Sequence, residues 1–272
     1  MVSVLILTKN EEQDLPGCLA SVSWCDDIHV YDSYSNDDTL DIAATAGATV
    51  TQRQFENWSA HQNWGLANIP FKHPWVLYID ADERVSVELQ QAVLAIDINS
   101  PNAAFELRRR DFAWNGRWLK HAQMSPFYLR LFRPDKMQYK RLVNPVSIPD
   151  GKVARIEGFL DHFPFSKGFR FWWQRHLGYA DMEAAMRMVD MNAGTSFSLQ
   201  KAAFSKDFSE RRYHQKGIFY KLPGRPLIKW FYLAIWRRGF LDGHAGVTYA
   251  VLQAIYEYFI ILKTKELQTS QS

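Results

Sequence analysis

The chain is poor in cysteine, carries little net charge and shows no export signal. Its two cysteines, Cys18 and Cys25, have no recognisable metal-site spacing, so we expect buried or reduced thiols in a cytosolic protein. The apolar run at the start of the chain has no basic segment before it, and it is too short to be the apolar core of a signal peptide. A net charge of +3 over 272 residues does not identify a partner.

Internal repeats and low-complexity segments are also absent, apart from the polar tail at 268–272. With 47% hydrophobic and 22% charged residues, the composition excludes global disorder. The length allows one large domain, or a domain with an appendage. The information therefore lies in the order of apolar and polar segments.

An acidic pair, Asp80 and Asp82, follows a run that is apolar at every position from 75 to 79. Such a run predicts a strand buried on both faces of a parallel sheet. The carboxyl end of such a strand opens into the crevice where α/β sheets bind ligands. One carboxylate could hold a hard divalent cation while the other holds a ribose or a water. The alternative is a turn in which an aspartate caps a helix.

Strand and helix signals alternate through the first third of the chain, which predicts βαβ units and a parallel sheet. The predicted strands are Val2–Leu7, Ile28–Tyr31, Ala48–Gln52 and Trp75–Ile79, and the predicted helices lie near Asp14–Val22, Thr39–Ala46 and Ala60–Ala67. The strand ends after Leu7 and at Asp32 should face the same crevice as the acidic pair. That convergence favours a ligand site over unrelated helix caps.

Short β-like segments continue from Ala104 to His162, and helical patterns follow from Gly168 almost to the end. The short segments are Ala104–Arg108, Phe127–Phe132, Leu142–Ile148 and Lys152–Ile156, and the helical ones lie near Phe169–Met191, Phe197–Phe208, Leu227–Arg238 and Val247–Leu267. We therefore predict a catalytic domain at 1–165 and a helical region at 166–272.

Three ordered stretches carry a family resemblance: Leu-Thr-Lys-Asn-Glu-Glu at 7–12, Val-Tyr-Asp-Ser-Tyr-Ser-Asn-Asp-Asp-Thr at 30–39, and Tyr-Ile-Asp-Ala-Asp-Glu at 78–83. Together with Arg-Gly-Phe-Leu-Asp-Gly at 238–243 and Gly246, they resemble the family 2 glycosyltransferases. The resemblance is greatest to the branch with the lipopolysaccharide-core glucosyltransferases and related exopolysaccharide enzymes. It implies an α/β GT-A fold, a Rossmann-like, mostly parallel sheet flanked by helices, followed here by a helical membrane-associating region.

The resemblance also implies roles for individual residues. The resemblance implies a nucleotide-sugar donor, with a UDP-sugar as the first candidate. The implied contacts of its nucleotide are Thr8, Asn10, Glu11, Asp32 and, near the ribose, Asp80. Asp82 would be the ligand of Mg²⁺ or Mn²⁺ on the diphosphate, where the metal stabilises the leaving group. Gln62 is a further candidate donor contact, although the family often has a lysine there.

The general base is not assigned by the resemblance, because Val143-Asn144-Pro145 stands where many relatives have Val-His-Glu. An inverting transfer needs a group that accepts the proton of the acceptor hydroxyl. The remaining candidates are Asp161 and His162, with Glu157 and Asp111 less favoured. His162 could instead contact the metal or the diphosphate.

The second half of the chain contains two strongly apolar segments, Leu227–Trp236 and Ala245–Leu262. From Lys201 to Asp242 there are ten Lys/Arg and three Asp/Glu. The second segment is at the lower limit for a membrane span and contains Glu257, which is costly in hydrocarbon. We therefore expect peripheral, monotopic attachment to the cytoplasmic side of the inner membrane. A soluble helical cap is the alternative, and binding of nucleic acid is not expected.

Three functions remain open from the sequence. The first is a metal-dependent inverting transferase that moves a sugar from a nucleotide diphosphate to a lipid-linked glycan. The second is a polyprenyl-phosphate sugar synthase, and the third is a non-catalytic nucleotide-sugar-binding membrane subunit. A sugar nucleotidyltransferase is disfavoured, because residues 8–11 contain no glycine-rich phosphate loop. The sequence leaves open whether the protein is a homo-oligomer.

Overall fold

The computed structural model describes residues 2–140, 146–205 and 208–271. The chain forms two compact units. The first comprises Met1–Phe112 and Met124–Ser166, and the second comprises Ala113–Gln123 and Lys167–Ser272. The short segment 113–123, which interrupts the first unit in sequence, therefore belongs to the second unit.

The first unit is built on an eight-stranded sheet and a small separate sheet of two strands. The large sheet contains β1 (Ser3–Thr8), β2 (Ile28–Asp32), β3 (Thr49–Gln52), β4 (Val76–Asp80), β5 (Glu83–Val85), β6 (Asn102–Asp111), β7 (Phe127–Phe132) and β10 (Lys152–His162), and the small one pairs β8 (Met137–Lys140) with β9 (Val146–Pro149). The strand order is β3-β2-β1-β4-β7-β6-β10-β5.

Parallel pairing joins β3, β2, β1 and β4, and it also joins β6 to β10. Strands β7 and β5 run antiparallel to their neighbours. The parallel register places Thr8 beside Asp32, and Leu7 beside Asp80. The carboxyl ends of β1, β2 and β4 are therefore adjacent, as the strand-end pattern predicts.

Helices of the first unit are α1 (Leu15–Ser21), α2 (Thr39–Thr45), α3 (Trp58–Asn68) and α4 (Val87–Leu94). Apolar residues of α1, α4 and the central strands form one buried cluster, which includes Leu15, Leu77 and Leu89. A second cluster on the other side of the sheet contains Tyr31, Val76 and Phe132. The apolar side chains of β4 thus face two cores, which explains why the run is apolar at every position.

The α/β fold is confirmed, with a mostly parallel central sheet and flanking helices. The sequence patterns did not predict β5 or α4. Strand β5 has only three residues, Glu83–Val85, and two of them are charged. Its position in the sheet comes from antiparallel pairing with β10, in which His162 lies opposite Glu83. The predicted strand Leu142–Ile148 lies partly outside the described residues, and β9 covers its end.

From Gly168 onward, the described residues of the second unit are mostly helical. Its helices are α5 (Gly168–Asn192), α6 (Leu199–Phe204), α7 (Phe208–Lys221), α8 (Arg225–Phe231) and α9 (Gly243–Gln271). A π-helical turn at Tyr232–Trp236 and a 3₁₀ turn at Gly239–Asp242 connect α8 to α9. Helices α5 and α8 both pack against α9, whose buried side chains include Ala250 and Ile260.

The late segment 238–243 forms a clamp on residues 121 and 122. The buried carboxylate of Asp242 accepts hydrogen bonds from the amides of His121 and Ala122, both at 2.8 Å, and Nδ1 of His121 lies 2.6 Å from its other oxygen. Close packing fixes the turn, because a Cβ on Gly246 would lie 2.1 Å from the carbonyl oxygen of Gly239. The motif therefore has a structural role, which holds 113–123 in the second unit.

We predict that Asp242→Ala destabilises the protein by about 3 kcal/mol, because two main-chain amides lose a charged acceptor in a buried position. Urea unfolding followed by circular dichroism measures the change. Asp181→Ala is the matched control, since Asp181 is an exposed carboxylate paired with Lys263 at 3.3 Å, and its loss should leave the midpoint unchanged. Equal midpoints for the two variants would contradict the clamp.

Candidate active site

The loops after β1 and β2 are cross-linked by hydrogen bonds at the carboxyl edge of the sheet. The amide of Asn10 donates to Oγ of Ser35 at 2.8 Å, and Oδ1 of Asn10 accepts from the amide of Asn36 at 3.0 Å. The amide of Glu11 donates to Oγ1 of Thr39 at 2.8 Å. Asn10 has a left-handed φ of 56°, a conformation that asparagine tolerates better than most residues. The two loops thus form one polar edge.

Asp32 is the centre of this edge. Its buried carboxylate accepts from Oγ1 of Thr8 at 2.9 Å, from the amide of Ser35 at 2.8 Å, from the hydroxyl of Ser35, and from Nε2 of Gln52 at 3.0 Å. Burial raises the pKa of Asp32, but these hydrogen bonds outweigh it and lower the pKa. A carboxylate has about four acceptor positions. In this structure Asp32 therefore holds the loops together. A ligand that hydrogen-bonded to Asp32 would displace one of these donors.

The acidic end of β4 is neutralised by a buried arginine. Nη2 of Arg130 lies 2.7 Å from Oδ2 of Asp80 and 3.1 Å from Oε1 of Glu83. Glu83 is fully buried, and its other oxygen accepts from the amide of Asp80 at 3.0 Å. Burial raises the pKa of the Asp80 carboxyl, but Arg130 outweighs burial and the pKa is lowered. Asp80, with 36% of its side chain exposed, is the accessible member of the group.

Gln62 reaches the same group through a tyrosine. Its Nε2 donates to the hydroxyl of Tyr78 at 3.2 Å, and this hydroxyl donates to Oδ1 of Asp80 at 3.1 Å. Burial holds the pKa of Tyr78 well above its usual value, so the phenol stays protonated and remains a donor. Gln62 is itself buried. In this structure it therefore supports Asp80 from inside the protein.

Asp82 faces a histidine that a second carboxylate orients. Nε2 of His162 lies 3.3 Å from Oδ2 of Asp82, and Nδ1 of His162 lies 2.7 Å from Oδ1 of Asp111. Burial lowers the pKa of His162, but the two carboxylates outweigh burial and raise it to about 9. The parallel register of β6 and β10 places Asp111 beside His162. The arrangement holds the imidazole with one nitrogen directed at Asp82.

Asp161 does not join this group. Adjacent strand residues point to opposite faces of a sheet, and Asp161 forms a two-pronged ion pair with Arg110, in which Nη2 lies 3.0 Å from Oδ2. As a base, Asp161 would have to leave this guanidinium. The position thus argues against the predicted role of Asp161 in proton transfer, and both nitrogens of His162 are already engaged by carboxylates.

The site fits a divalent cation that substrate would help to hold. Among residues 2–140, 146–205 and 208–271, no group of three or more His, Cys, Asp or Glu side chains forms a complete metal site. Oδ2 of Asp82 and Nε2 of His162 are 3.3 Å apart, close to the spacing of about 3 Å for neighbouring ligands of an octahedral cation with bonds of about 2.1 Å. The Asp111–His162 contact is typical of a carboxylate that orients a metal-bound histidine.

The motif Val143-Asn144-Pro145, which departs from the pattern of the family in the sequence, lies outside the described residues.

Comparison with known proteins establishes the family. Residues 3–163 match the profile of "Glycosyl transferase family 2", which is more than half of the chain. The chain belongs to glycosyl transferase family 2.

Curated relatives match over parts of their length. An uncharacterized glycosyltransferase of Rickettsia typhi is 38% identical over 93 residues, which are 34% of this chain and 31% of the relative. The lipopolysaccharide core biosynthesis glycosyltransferase LpsC of Rhizobium meliloti is 27% identical over 170 residues, 60% of this chain and 63% of LpsC. The alignments thus span about a third of the Rickettsia protein and somewhat less than two thirds of LpsC.

Two solved structures show more distant likenesses. TarS residues 1–349 of S. aureus is 14% identical with a TM-score of 0.43, and the alignment covers 99% of this chain and 91% of TarS. Glucosyl-3-phosphoglycerate synthase of Mycobacterium tuberculosis, in complex with Mn²⁺, UDP and glucosyl-3-phosphoglycerate, is 21% identical with a TM-score of 0.34. That alignment covers 39% of this chain and 43% of the synthase.

Three site residues were not identified from the sequence: Glu83, Arg109 and Arg130. Arg130 interrupts an apolar strand, Phe127–Phe132, and a charge in such a strand is a usable signal of a buried partner. Nη1 of Arg109 lies 3.8 Å from Glu83, and its Nε lies 3.2 Å from Asp111, so it links the two halves of the site. No local pattern indicates this link.

Arg130→Leu should lower the free energy of unfolding by about 3–5 kcal/mol, because Glu83 would remain buried without its cation. Urea titration gives the value. Arg155→Leu is the control, since its ion pair with Glu106 is largely exposed and should contribute little. The double variant Arg130→Leu/Glu83→Gln should be more stable than Arg130→Leu alone. A double variant that is less stable would contradict charge compensation as the cause.

His61, which lies next to the β2 edge, makes a pH-dependent contribution to the free energy of unfolding. Its ring stacks on Tyr31 at 4.0 Å, and burial, followed by the charge of Arg53, lowers its pKa from 6.5 to about 4. Because the folded state holds His61 neutral, its stabilising contribution is fully present above pH 6.5 and is lost as the pH falls toward 4. Between pH 7 and 5 we expect the free energy of unfolding to fall by an amount on the order of 2 kcal/mol for this reason.

His61→Phe, which can keep the stacking, isolates this effect from that of the carboxylates. Urea midpoints of the two proteins at pH 7 and pH 5 give the comparison. The variant should lose less stability than the wild type on acidification. Identical pH dependence in both proteins would show that His61 is not responsible.

Proposed function

We propose that the protein is a metal-dependent, inverting glycosyltransferase that moves a sugar from a UDP-sugar to a lipid-linked glycan in bacterial surface polysaccharide synthesis. The observation that carries the proposal is the pair Asp82 and His162, oriented by Asp111 beside the accessible carboxylate of Asp80. Mg²⁺ sites with one or two protein ligands are usually completed by waters and substrate phosphates, which fits a diphosphate-bearing donor.

Donor binding is assigned to the edge formed by the β1 and β2 loops. Thr8, Asn10, Glu11 and Asp32 lie there, and their amides, hydroxyls and carboxylates are of the kinds that pair with the imide and carbonyl groups of a uracil base. A bound base would replace some of the hydrogen bonds that these groups now make within the edge. The cross-links between the loops reduce the ordering that binding requires, because the edge is already formed. Asp80 would bind the ribose, and the Gln62–Tyr78 chain supports that carboxylate.

Asp82 and His162 would hold Mg²⁺ or Mn²⁺. Such a cation stabilises the negative charge that develops on the departing diphosphate. Asp111 keeps Nε2 of His162 directed at Asp82, so the histidine serves as a ligand that has to lose its proton before it can bind metal. We therefore assign His162 to metal binding and not to accepting a proton from the acceptor, because it has no free nitrogen in this structure.

The acceptor class is inferred from two further observations. LpsC, whose name places it in lipopolysaccharide core biosynthesis, aligns over 60% of this chain. The second unit also exposes large apolar side chains, Leu227 and Trp236 among them, in a stretch of chain rich in basic residues, which suits contact with a lipid surface. Both fit an enzyme on the cytoplasmic side of the inner membrane that meets a lipid-held acceptor.

Asp82→Asn should abolish stabilisation by metal and lower transfer by more than about a hundredfold, because a lost ligand costs more than a lost orienting partner. A thermal-shift screen of UDP-, GDP- and dTDP-sugars with and without Mn²⁺ identifies the donor. Transfer is then measured with that donor on lipid-linked glycan and on polyprenyl phosphate. Asp161→Asn is the control and should keep the metal-dependent shift.

Undiminished transfer by Asp82→Asn in the presence of chelator would refute the metal site. Transfer to polyprenyl phosphate alone would identify a polyprenyl-phosphate sugar synthase and overturn the proposed acceptor. Donor binding without hydrolysis or transfer to either acceptor would contradict an enzymatic role.

A further inference from the structure

The second unit exposes a continuous apolar face on α8 and the turns that follow it. We call this the α8 face. Its large side chains are Leu227, Ile228, Phe231, Tyr232, Ile235, Trp236 and Phe240. Leu227 and Trp236 are each 75% exposed. Opposite them, Arg225, Leu233 and Ala234 are buried in the unit, so the segment already has a core-facing side.

The stretch of chain that contains the α8 face is basic. Residues 211–241 contain no Asp or Glu; of their eight basic residues, Arg225 and Lys229 lie beside Glu257 and Lys216 pairs with Glu183, and the others are Arg211, Arg212, Lys221, Arg237 and Arg238. Exposed apolar and aromatic side chains flanked by cations are typical of segments that lie in the interface of an anionic bilayer. Tyrosine and tryptophan are favoured at the headgroup level.

Helix α9 is the competing membrane element, but its middle is a packed and charged part of the second unit. Glu257 is buried and lies 3.7 Å from Nε of Arg225 and 4.0 Å from Nζ of Lys229. A spanning α9 would bring this charge cluster into the hydrocarbon, which is costly. The apolar length of α9 is thus better explained by its packing against α5 and α8.

We propose that the α8 face docks the protein on the surface of an anionic lipid bilayer, with α8 lying in the interface and α9 remaining in the protein. This deepens the proposed function by naming the surface that meets the membrane of its acceptor. It also stands on observations in the second unit alone.

A second copy of the chain is a poorer occupant of this face. In a two-fold symmetric contact, the same patch lies on both sides. Two such patches would bring basic residues opposite each other, with no acidic residue between 211 and 241 to compensate them. Anionic headgroups supply the missing negative charge, and the acyl region covers the apolar side chains.

Co-sedimentation of the full chain with vesicles tests the proposal. The vesicles contain phosphatidylcholine alone or phosphatidylcholine with about 30% phosphatidylglycerol, at low and high salt. We expect binding to the anionic vesicles that weakens in high salt. Leu227→Gln/Trp236→Gln should lower the partition coefficient by about tenfold or more, because two apolar anchors are lost.

Ile255→Gln/Tyr258→Gln is the matched control, since both residues are exposed apolar side chains on α9. It should bind as the wild type does. Loss of binding in this control, with normal binding by the α8 variant, would overturn the assignment to α8. Equal thermal unfolding of the variants in the absence of lipid shows that the fold is retained.

Two further outcomes would contradict the inference. Wild-type protein that does not bind anionic vesicles would refute it, and so would a dimer in sedimentation velocity that the α8 variant converts to a monomer without loss of vesicle binding. Asp82→Asn, which should lose transfer, is expected to bind vesicles normally. Failure of docking is thereby distinguished from failure of the catalytic proposal.

Discussion

The buried guanidinium of Arg130 is the interaction on which the site in the first unit depends. Asp80 and Glu83 leave the same strand end within four residues, and without a cation their charges would repel each other in a region of low dielectric. Arg130 contacts both carboxylates and stacks on Tyr78 at 4.5 Å. Because Glu83 is fully buried and hydrogen-bonded to the amide of Asp80, it fixes the main chain from which Asp80 and Asp82 project.

This neutralisation divides the acidic cluster into two parts. Asp80 and Glu83 share the single charge of Arg130, whereas Asp82 faces His162, whose charge depends on its protonation. In the absence of metal, a protonated His162 balances Asp82 and Asp111, which is the reason for its raised pKa. A cation that replaced this proton would find the carboxylate and the imidazole already within 3.3 Å of each other. Exchange of this proton for a divalent cation would add one positive charge beside Asp82 and Asp111.

The sequence predicted that several strand ends meet at one edge of the sheet. Asp32, Asp80 and Asp82 follow apolar runs, and adjacent parallel strands bring their ends to one edge. The contact between His162 and Asp111 could not be predicted in this way, because it depends on the register of β10 against β6. The separation of Asp161 from His162 follows from strand alternation, but only once β10 is known to extend through both residues.

In the helical half, too, part of the structure could not be predicted from sequence patterns. Helical segments were predicted from apolar patterns, but α7 was not delimited, and the membership of 113–123 depends on hydrogen bonds to Asp242 more than a hundred residues away. No pattern local to 113–123 contains that information. A single division of the chain, such as the one predicted at 165–166, has no means of grouping this earlier segment with the later one.

Hydropathy and burial lead to different conclusions about α8 and α9, and the difference has a physical cause. Hydropathy records how apolar a segment is, whereas lipid contact depends on which apolar side chains the protein itself leaves uncovered. Helix α9 has the longer apolar sequence, but Ala250 and Ile260 are buried and Glu257 faces two cations. The shorter α8 segment leaves Leu227 and Trp236 uncovered. A short helix with an uncovered apolar face beside basic residues meets the requirements of interfacial binding, whereas a long helix with a buried ion cluster does not meet those of a span.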